Sequence, residues 1–178
     1  MGVDRQYADG SLPSTYGVPE CWPHIRELYG RSGFVFQGRV EIILVACVDE
    51  LPRALEPPIP ELGLQRSVGV CGTRFSALLN DEAVGMIEVE SDLTAGGTRS
   101  RFAGWSDVGN LCVREDHRRQ GIATWLLATT ADWLRLGFVE RLVDYAWPEQ
   151  EDLLGFLGHV GFRELVRTER GWRRVTSG

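Results

Sequence analysis

Between two runs that read as regular structure, the chain carries a short stretch whose residue types leave few folds open. Residues 105–113 (WSDVGNLCV) read as a strand. Residues 122–136 place Ile122, Leu126, Thr129, Trp133 and Leu136 along one helical stripe, and Gly137 is positioned to end it. The two are joined through Arg118, Arg119, Gln120 and Gly121, which run into Ile122 and Ala123. The first N–H groups of a helix have no intrahelical partner and the helix dipole adds partial positive charge there, so such an end attracts phosphate. Gly121 lets the backbone approach a ligand, Ala123 keeps the next turn uncrowded, and the arginines supply charge. The segment suits a pyrophosphate.

The rest of the chain sorts around this unit. Residues 1–18 are polar and rich in Gly, Ser and Pro, and read as loop. Residues 20–31 fit a short helix with Trp22, Ile25, Leu28 and Tyr29 on one face and Gly33 beyond its end. Residues 34–48 are strand-like and rich in β-branched side chains, with Gly38 a bulge. Residues 49–63 hold four prolines and read as a semi-rigid linker, the clearest boundary in the chain. Beyond it come a short strand over 64–70 and two strands within 73–91 joined near Asn80 and Asp81. A loop over 92–104 follows, and after the central helix a strand over 141–147. Pro148 opens a helix with Glu149, Gln150 and Glu151 in its first turn, and a last strand starts at Phe162. From residue 73 the order β-β-β-α-β-α-β indicates a mixed α/β sheet packed with helices. The expected division is an N-terminal segment 1–48, a linker 49–63 and a domain 64–178.

One internal repeat crosses that boundary. Ile25, Leu28, Tyr29, Gly33 and Phe34 recur 128 positions later as Leu153, Phe156, Leu157, Gly161 and Phe162, while Tyr16 and Pro19 recur as Tyr145 and Pro148. Helix, then Gly-Phe, then strand appears twice. Helix–Gly–strand junctions are common in themselves, but the match extends over about twenty positions, which favours homology.

Bulk properties restrict the function. With 178 residues, 43% hydrophobic and 25% charged, the chain can build one good core. A net charge of −6 argues against a nucleic-acid or anionic-membrane partner, since phosphate affinity needs a basic surface. No run approaches the ~18 apolar residues that span a bilayer, and the N-terminus lacks a basic segment followed by an apolar one, so a soluble, cytoplasmic protein is expected. Cys21, Cys47, Cys71 and Cys112 have no metal-ligand spacing and His24, His117 and His159 are scattered, so no metal site is expected.

The Arg118-Arg119-Gln120-Gly121-Ile122-Ala123 segment resembles the signature loop of the GCN5-related N-acetyltransferase (GNAT) superfamily: Arg or Gln, two residues, Gly, one residue, then Gly or Ala. The strand before it, the helix and strand after it, and a further helix ending at Gly161-Phe162 are at the family's usual distances, so the resemblance covers residues 73–170. It implies a mostly antiparallel central sheet with flanking helices and one parallel strand pair splayed around acetyl-CoA. By resemblance, Leu111, Cys112 and Val113 meet the pantetheine arm. Arg118 contributes charge, and the backbone of Arg119, Gln120, Gly121, Ile122, Ala123 and Thr124 holds the pyrophosphate.

Transfer of acetyl from a thioester to an amine needs a base that takes the amine's proton. Asp107 is the first candidate: it lies eleven residues before Arg118, where some family members place a catalytic Glu, and strict alternation would put it on the face of Leu111. Glu88 and Glu90 compete with it, and a carboxylate at a solvated strand end is the alternative reading for each. The family's usual general acid, a Tyr four residues before the Gly of Gly-Phe, is here Leu157, which leaves Tyr145 and Cys112 as fallback donors. The one or two helices that family members carry between their first and second strands have no room between residues 70 and 73.

The sequence therefore reads as the C-terminal part of a tandem acetyltransferase that moves acetyl from acetyl-CoA to a primary amine of a small molecule or protein. The competing reading is a catalytically weak acetyl-CoA-binding half-domain. Residues 40–48 are too apolar to be left in water, and the linker would let them pack on their own sheet or on a second copy as a homodimer.

Overall fold

The computed structural model describes residues 17–54, 56–91 and 103–174. Its elements in chain order are β1 (Val18–Pro19), α1 (Pro23–Arg31), β2 (Phe34–Cys47), β3 (Gly63–Gly69), β4 (Gly72–Leu79), β5 (Glu82–Glu90), β6 (Trp105–Val113), α2 (Ile122–Leu136), β7 (Arg141–Ala146), α3 (Glu151–His159) and β8 (Arg163–Arg174). The strands form one sheet in the order β1-β8-β2-β7-β6-β5-β4-β3. Every pairing is antiparallel except β6 with β7. This is the mixed, mostly antiparallel architecture expected.

The place of β2 decides how the sheet holds together. It lies between β7 and β8, pairing with β7 from Ile42↔Ala146 to Cys47↔Arg141 and with β8 from Phe34↔Arg174 to Val45↔Arg163. A strand with neighbours on both edges is read by its burial: Ile42, Ile43, Leu44, Val45 and Ala46 are five consecutive residues no more than 9% exposed. The register skips between Phe36 and Arg39 around Gly38, whose φ is 81°, so the bulge expected there is present. Of the two ways to bury this strand, the chain uses its own sheet.

Helix α1 departs from expectation. It begins at Pro23, and none of its residues is buried; Leu28 is 55% exposed, as is about half of Trp22 just before it. Ile25 and Tyr29 are half-buried, the Tyr29 ring lying against Phe34 and Trp172. The α2 stripe is also rotated. Ile122 and Leu126 are buried as expected, but Leu127, Ala128, Ala131 and Leu134 complete the buried face, while Leu136 is 80% exposed.

The rotation has a cause in residues 48–62. Val48, Leu51 and Leu62 are buried, and Ile59 packs on the core. Arg135 of α2 donates to the carbonyls of Val48 and Leu51, and Asp132 accepts from the Ala54 N–H at 2.9 Å and from Arg53 at 3.2 Å. The Pro-rich segment is thus a strap fastened along α2, occupying a flank that a lone helix would show to water.

Two outcomes follow from these contacts. Burying four Ile, Leu and Val side chains of β2 is worth at most about 6–12 kcal/mol, comparable with the whole stability of a domain. A fragment starting at residue 49 should therefore be insoluble or melt without a cooperative transition; a soluble fragment melting like the full chain would contradict this. Burial acts to raise the Asp132 carboxyl, but Ala54, Arg53 and Arg135 together outweigh it and hold its pKa below the ordinary value. A depressed folded pKa gives stability that is present at neutral pH and lost as pH falls through it. The melting-temperature advantage of wild type over Asp132→Asn should accordingly shrink from about pH 5 downward, and a pH-independent difference would refute the charged clamp.

Candidate active site

Strands β6 and β7 run parallel and share only three residue pairs, Trp105↔Arg141, Ser106↔Leu142 and Asp107↔Val143. Beyond them β6 pairs with β5 alone, and β7 with β2 alone. The two strands therefore part at Asp107 and Val143. No strand lies across the gap from residues 108–113 or 144–146, and side chains take part of these edges: the Tyr145 N–H donates to the Asp144 carboxylate at 2.7 Å, and the Val113 carbonyl accepts from Arg118.

The gap leads to the start of α2. The first intrahelical bond is from the Trp125 N–H to the Gly121 carbonyl, so the N–H groups of Ile122, Ala123 and Thr124 are not used within the helix. Before them Arg119 (φ 61°) and Gly121 (φ 81°) both adopt left-handed backbone. Arg118 donates to the Val113 carbonyl at 3.1 Å, tying the loop back to the end of β6. Arg119 reaches Asp152 of α3 at 2.8 Å, so its charge lies between the two helix starts. The segment expected to hold a pyrophosphate thus stands at the open end of the gap.

A bulge sorts the candidate residues between the two faces of the sheet. Glu88 pairs with Asn110 and Val89 with Val108, which leaves Gly109 as an extra residue in β6. Val108, Leu111 and Val113 pair with Val89, Ile87 and Gly85, and Ile87 pairs with Phe75, whose ring meets Trp133 of α2 at 5.5 Å. These residues share the α2 face. Asp107, Asn110 and Cys112 are on the other face, with Glu88 and Glu90. The expectation that Asp107 and Leu111 share a face is therefore overturned, because one extra residue between them inverts the alternation. The signal was present: a Gly inside a strand pattern marks a bulge.

The inversion brings the three carboxylates together. Glu90 pairs directly with Asp107, and Glu88 is two pairs further along, opposite Asn110. They differ in setting. Glu88 is 1% exposed and ion-paired with Arg74, whose Nε lies 2.6 Å from it, and the β3–β4 turn covers it. A Cβ on Gly69 would collide with its carboxyl group, and one on Gly109 would collide with Cys71 of the same turn, so both glycines are required by close packing. Asp107 sits where the strands separate.

Leu157, at the position of the expected acid, is fully buried in the core, and its carbonyl accepts from the Phe162 N–H. Tyr145 and Cys112 are half-buried on strands β7 and β6. Beside the end of β7, an open cleft of about 580 Å³ is lined by Gln37, Arg39 and Val40 of β2 and by Trp147, Glu149 and Gln150. The Arg39 guanidinium lies 4.1 Å from the centre of the Trp147 ring. Sequence reasoning missed this pair, as it joins residues over a hundred positions apart. Among the described residues no group of three His, Cys, Asp or Glu could hold a metal ion, and no helix is long and apolar enough to cross a membrane.

Comparison with known proteins agrees with this geometry. YobR, an uncharacterized N-acetyltransferase of Bacillus subtilis (strain 168), is 30% identical over 80 residues, which are 45% of this chain and 32% of YobR. A tandem GNAT protein from the clavulanic acid biosynthesis pathway superposes with a TM-score of 0.67 at 13% identity, over 89% of this chain and 60% of that one. A GCN5-related N-acetyltransferase from Sphaerobacter thermophilus gives 0.59 at 15% identity, over 86% and 56%. The chain thus spans about a third of YobR and little more than half of these two structures. Residues 49–162 match the family model described as the Acetyltransferase (GNAT) family, and with most of its length inside that match, the chain belongs to this family.

Proposed function

We propose that the chain is an acetyl-CoA-dependent N-acetyltransferase domain, with the pantetheine arm in the gap between β6 and β7 and the diphosphate on the N–H groups of residues 119–124. The observation that carries this reading is the parting of two parallel strands at Asp107 and Val143, directly below a helix start with left-handed Arg119 and Gly121. Amide carriers such as pantetheine find along residues 111–113 a backbone edge with no strand across from it, where the Arg118 side chain reaches the Val113 carbonyl, and the side chains of Leu111 and Val113 close the α2 side. Arg118 adds charge at the same end.

The chemistry assigned to this gap is attack of a neutral amine on the thioester carbonyl. The new C–N bond forms, the C–S bond breaks, and coenzyme A leaves as a thiolate that takes up a proton. Asp107 is the proposed base, at the point where the gap narrows to paired strands; Glu90, opposite it, is the alternative, and Glu88 is held by Arg74. The acceptor is a primary amine of a small molecule or protein, and the acidic face suits its cationic resting form. Residues 16–48 are read as the tail of a first copy in a tandem pair. Helix, left-handed glycine (Gly33 and Gly161) and strand occur in each half, and the two strands lie side by side as β2 and β8, which supports that reading. A catalytically weak acetyl-CoA-binding half-domain is the second reading, favoured by Leu157 where the family's acid would stand.

Release of free thiol from acetyl-CoA across a panel of amines separates the two readings: turnover with at least one amine supports the enzyme, and binding without turnover supports the half-domain. With a responsive amine, Asp107→Asn should lower turnover at pH 7 by about 10²–10⁴-fold, less at higher pH where free amine is abundant, with acetyl-CoA affinity unchanged. Undiminished turnover would move the base to Glu90 or water. Glu88→Gln should instead lower the melting temperature, as expected when one partner of a buried ion pair is lost. Gly121→Glu should abolish acetyl-CoA binding, since its side chain brings bulk and negative charge to the phosphate loop; retained affinity would place the site elsewhere.

A further inference from the structure

The glycine of the phosphate loop is occupied, on the side where a side chain would project, by the Pro-rich strap. A Cβ built on Gly121 would stand 3.3 Å from Cβ of Pro58 and 3.8 Å from its Cγ. A side chain at 121 would press Pro58 back by a few tenths of an ångström, in addition to the strain of the left-handed backbone. Arg119, two residues earlier, is also left-handed, a state that costs a non-glycine residue about 1–3 kcal/mol and persists only where the surroundings enforce it. Its ion pair with Asp152 joins side chains that are 84% and 92% exposed, and exposed pairs of this kind restrain little. The strap is the firmer restraint. Arg135, 9% exposed, grips the carbonyls of Val48 and Leu51; Asp132 grips Arg53 and Ala54; Ile59 and Leu62 anchor the far end in the core. The Asp132 end of the clamp is about 16 Å along α2 from Gly121, so the strap spans from the last turns of the helix to its start.

We propose that the strap is a working part of the phosphate loop: Pro58, held against Gly121 by the Asp132–Arg135 clamp, keeps residues 119–121 in the conformation that receives the diphosphate. The inference rests on the acetyl-CoA reading above. Pro58 is a positioning residue, acting through Gly121 and not on the ligand. Asp132 and Arg135 act one step further away, through the strap. A loop freed to sample other conformations binds less tightly in proportion to the fraction of time it is competent.

The test compares the full-length wild type with Pro58→Gly, Pro58→Val and Asp132→Ala by calorimetry with acetyl-CoA and by amide hydrogen exchange at residues 119–124. Pro58→Gly should raise Kd about tenfold, as for a loop competent about a tenth of the time, and speed exchange at those amides. Pro58→Val, which restores carbon against Gly121, should recover most of the affinity, and Asp132→Ala should shift Kd in the direction of Pro58→Gly. Wild-type affinity and exchange in Pro58→Gly would overturn the proposal, and so would equal losses in the Gly and Val variants, which would point to chain stiffness instead of contact. If the wild type itself gives no binding, the acetyl-CoA reading fails. The exchange measurement still decides the strap: faster exchange confined to 119–124 upholds its hold on the loop, and unchanged exchange refutes it.

Discussion

Strands β6 and β7 stop pairing after three residues, and the rest of the molecule is arranged around that break. A parallel pair so short cannot hold a sheet together, so β7 depends on its other neighbour. β2 meets it through six residue pairs and fills the interior with Ile42, Leu44 and Ala46. On the far side β6 is held along its length by β5, with Gly109 set out of register. The gap is thus a defect framed by two well-paired half-sheets. Past Asp107 and Val143 the two strands are paired on their outer sides, β6 with β5 and β7 with β2, and not with each other.

The bulge at Gly109 gives the gap two different walls. On the α2 face, Val108, Leu111 and Val113 continue the core. On the opposite face, Asp107, Asn110 and Cys112 lie beside Glu88 and Glu90. A one-residue slip therefore separates an apolar wall from an acidic one, as a thioester carrier meeting an amine would require. Burial then distinguishes the carboxylates. Glu88 is spent on Arg74 and on holding the β3–β4 turn, which itself demands glycine at 69 and 109, while Asp107 remains at the mouth of the strand pair.

Much of this was legible in the sequence, and the failures have physical reasons. The limits of β6 and α2 matched because a strand-like run ending at Val113 and a period-3.6 run starting after Gly121 bracket the polar residues 114–120. The Asn80-Asp81 turn took positive φ at both residues, as a two-residue hairpin requires. The apolar run of β2 showed that it must be buried but not beside which strands, since pairing over a hundred residues apart leaves no local trace. The α2 face was misread because the strap covers Asp132 and Arg135, making a flank of the helix interior and leaving Leu136 outside. The prolines of 49–63 suggested a spacer; Leu51, Ile59 and Leu62 among them were the available sign that it packs.

The central claim is that the gap between β6 and β7 receives acetyl-CoA, and a crystal structure of the full chain with acetyl-CoA tests it most directly. The account predicts the pantetheine arm between residues 108–113 and 144–146, its diphosphate on the backbone N–H groups of 119–124, and the thioester carbon near Asp107. A coenzyme bound outside this gap, or strands that close into continuous pairing past Asp107 and Val143, would contradict it.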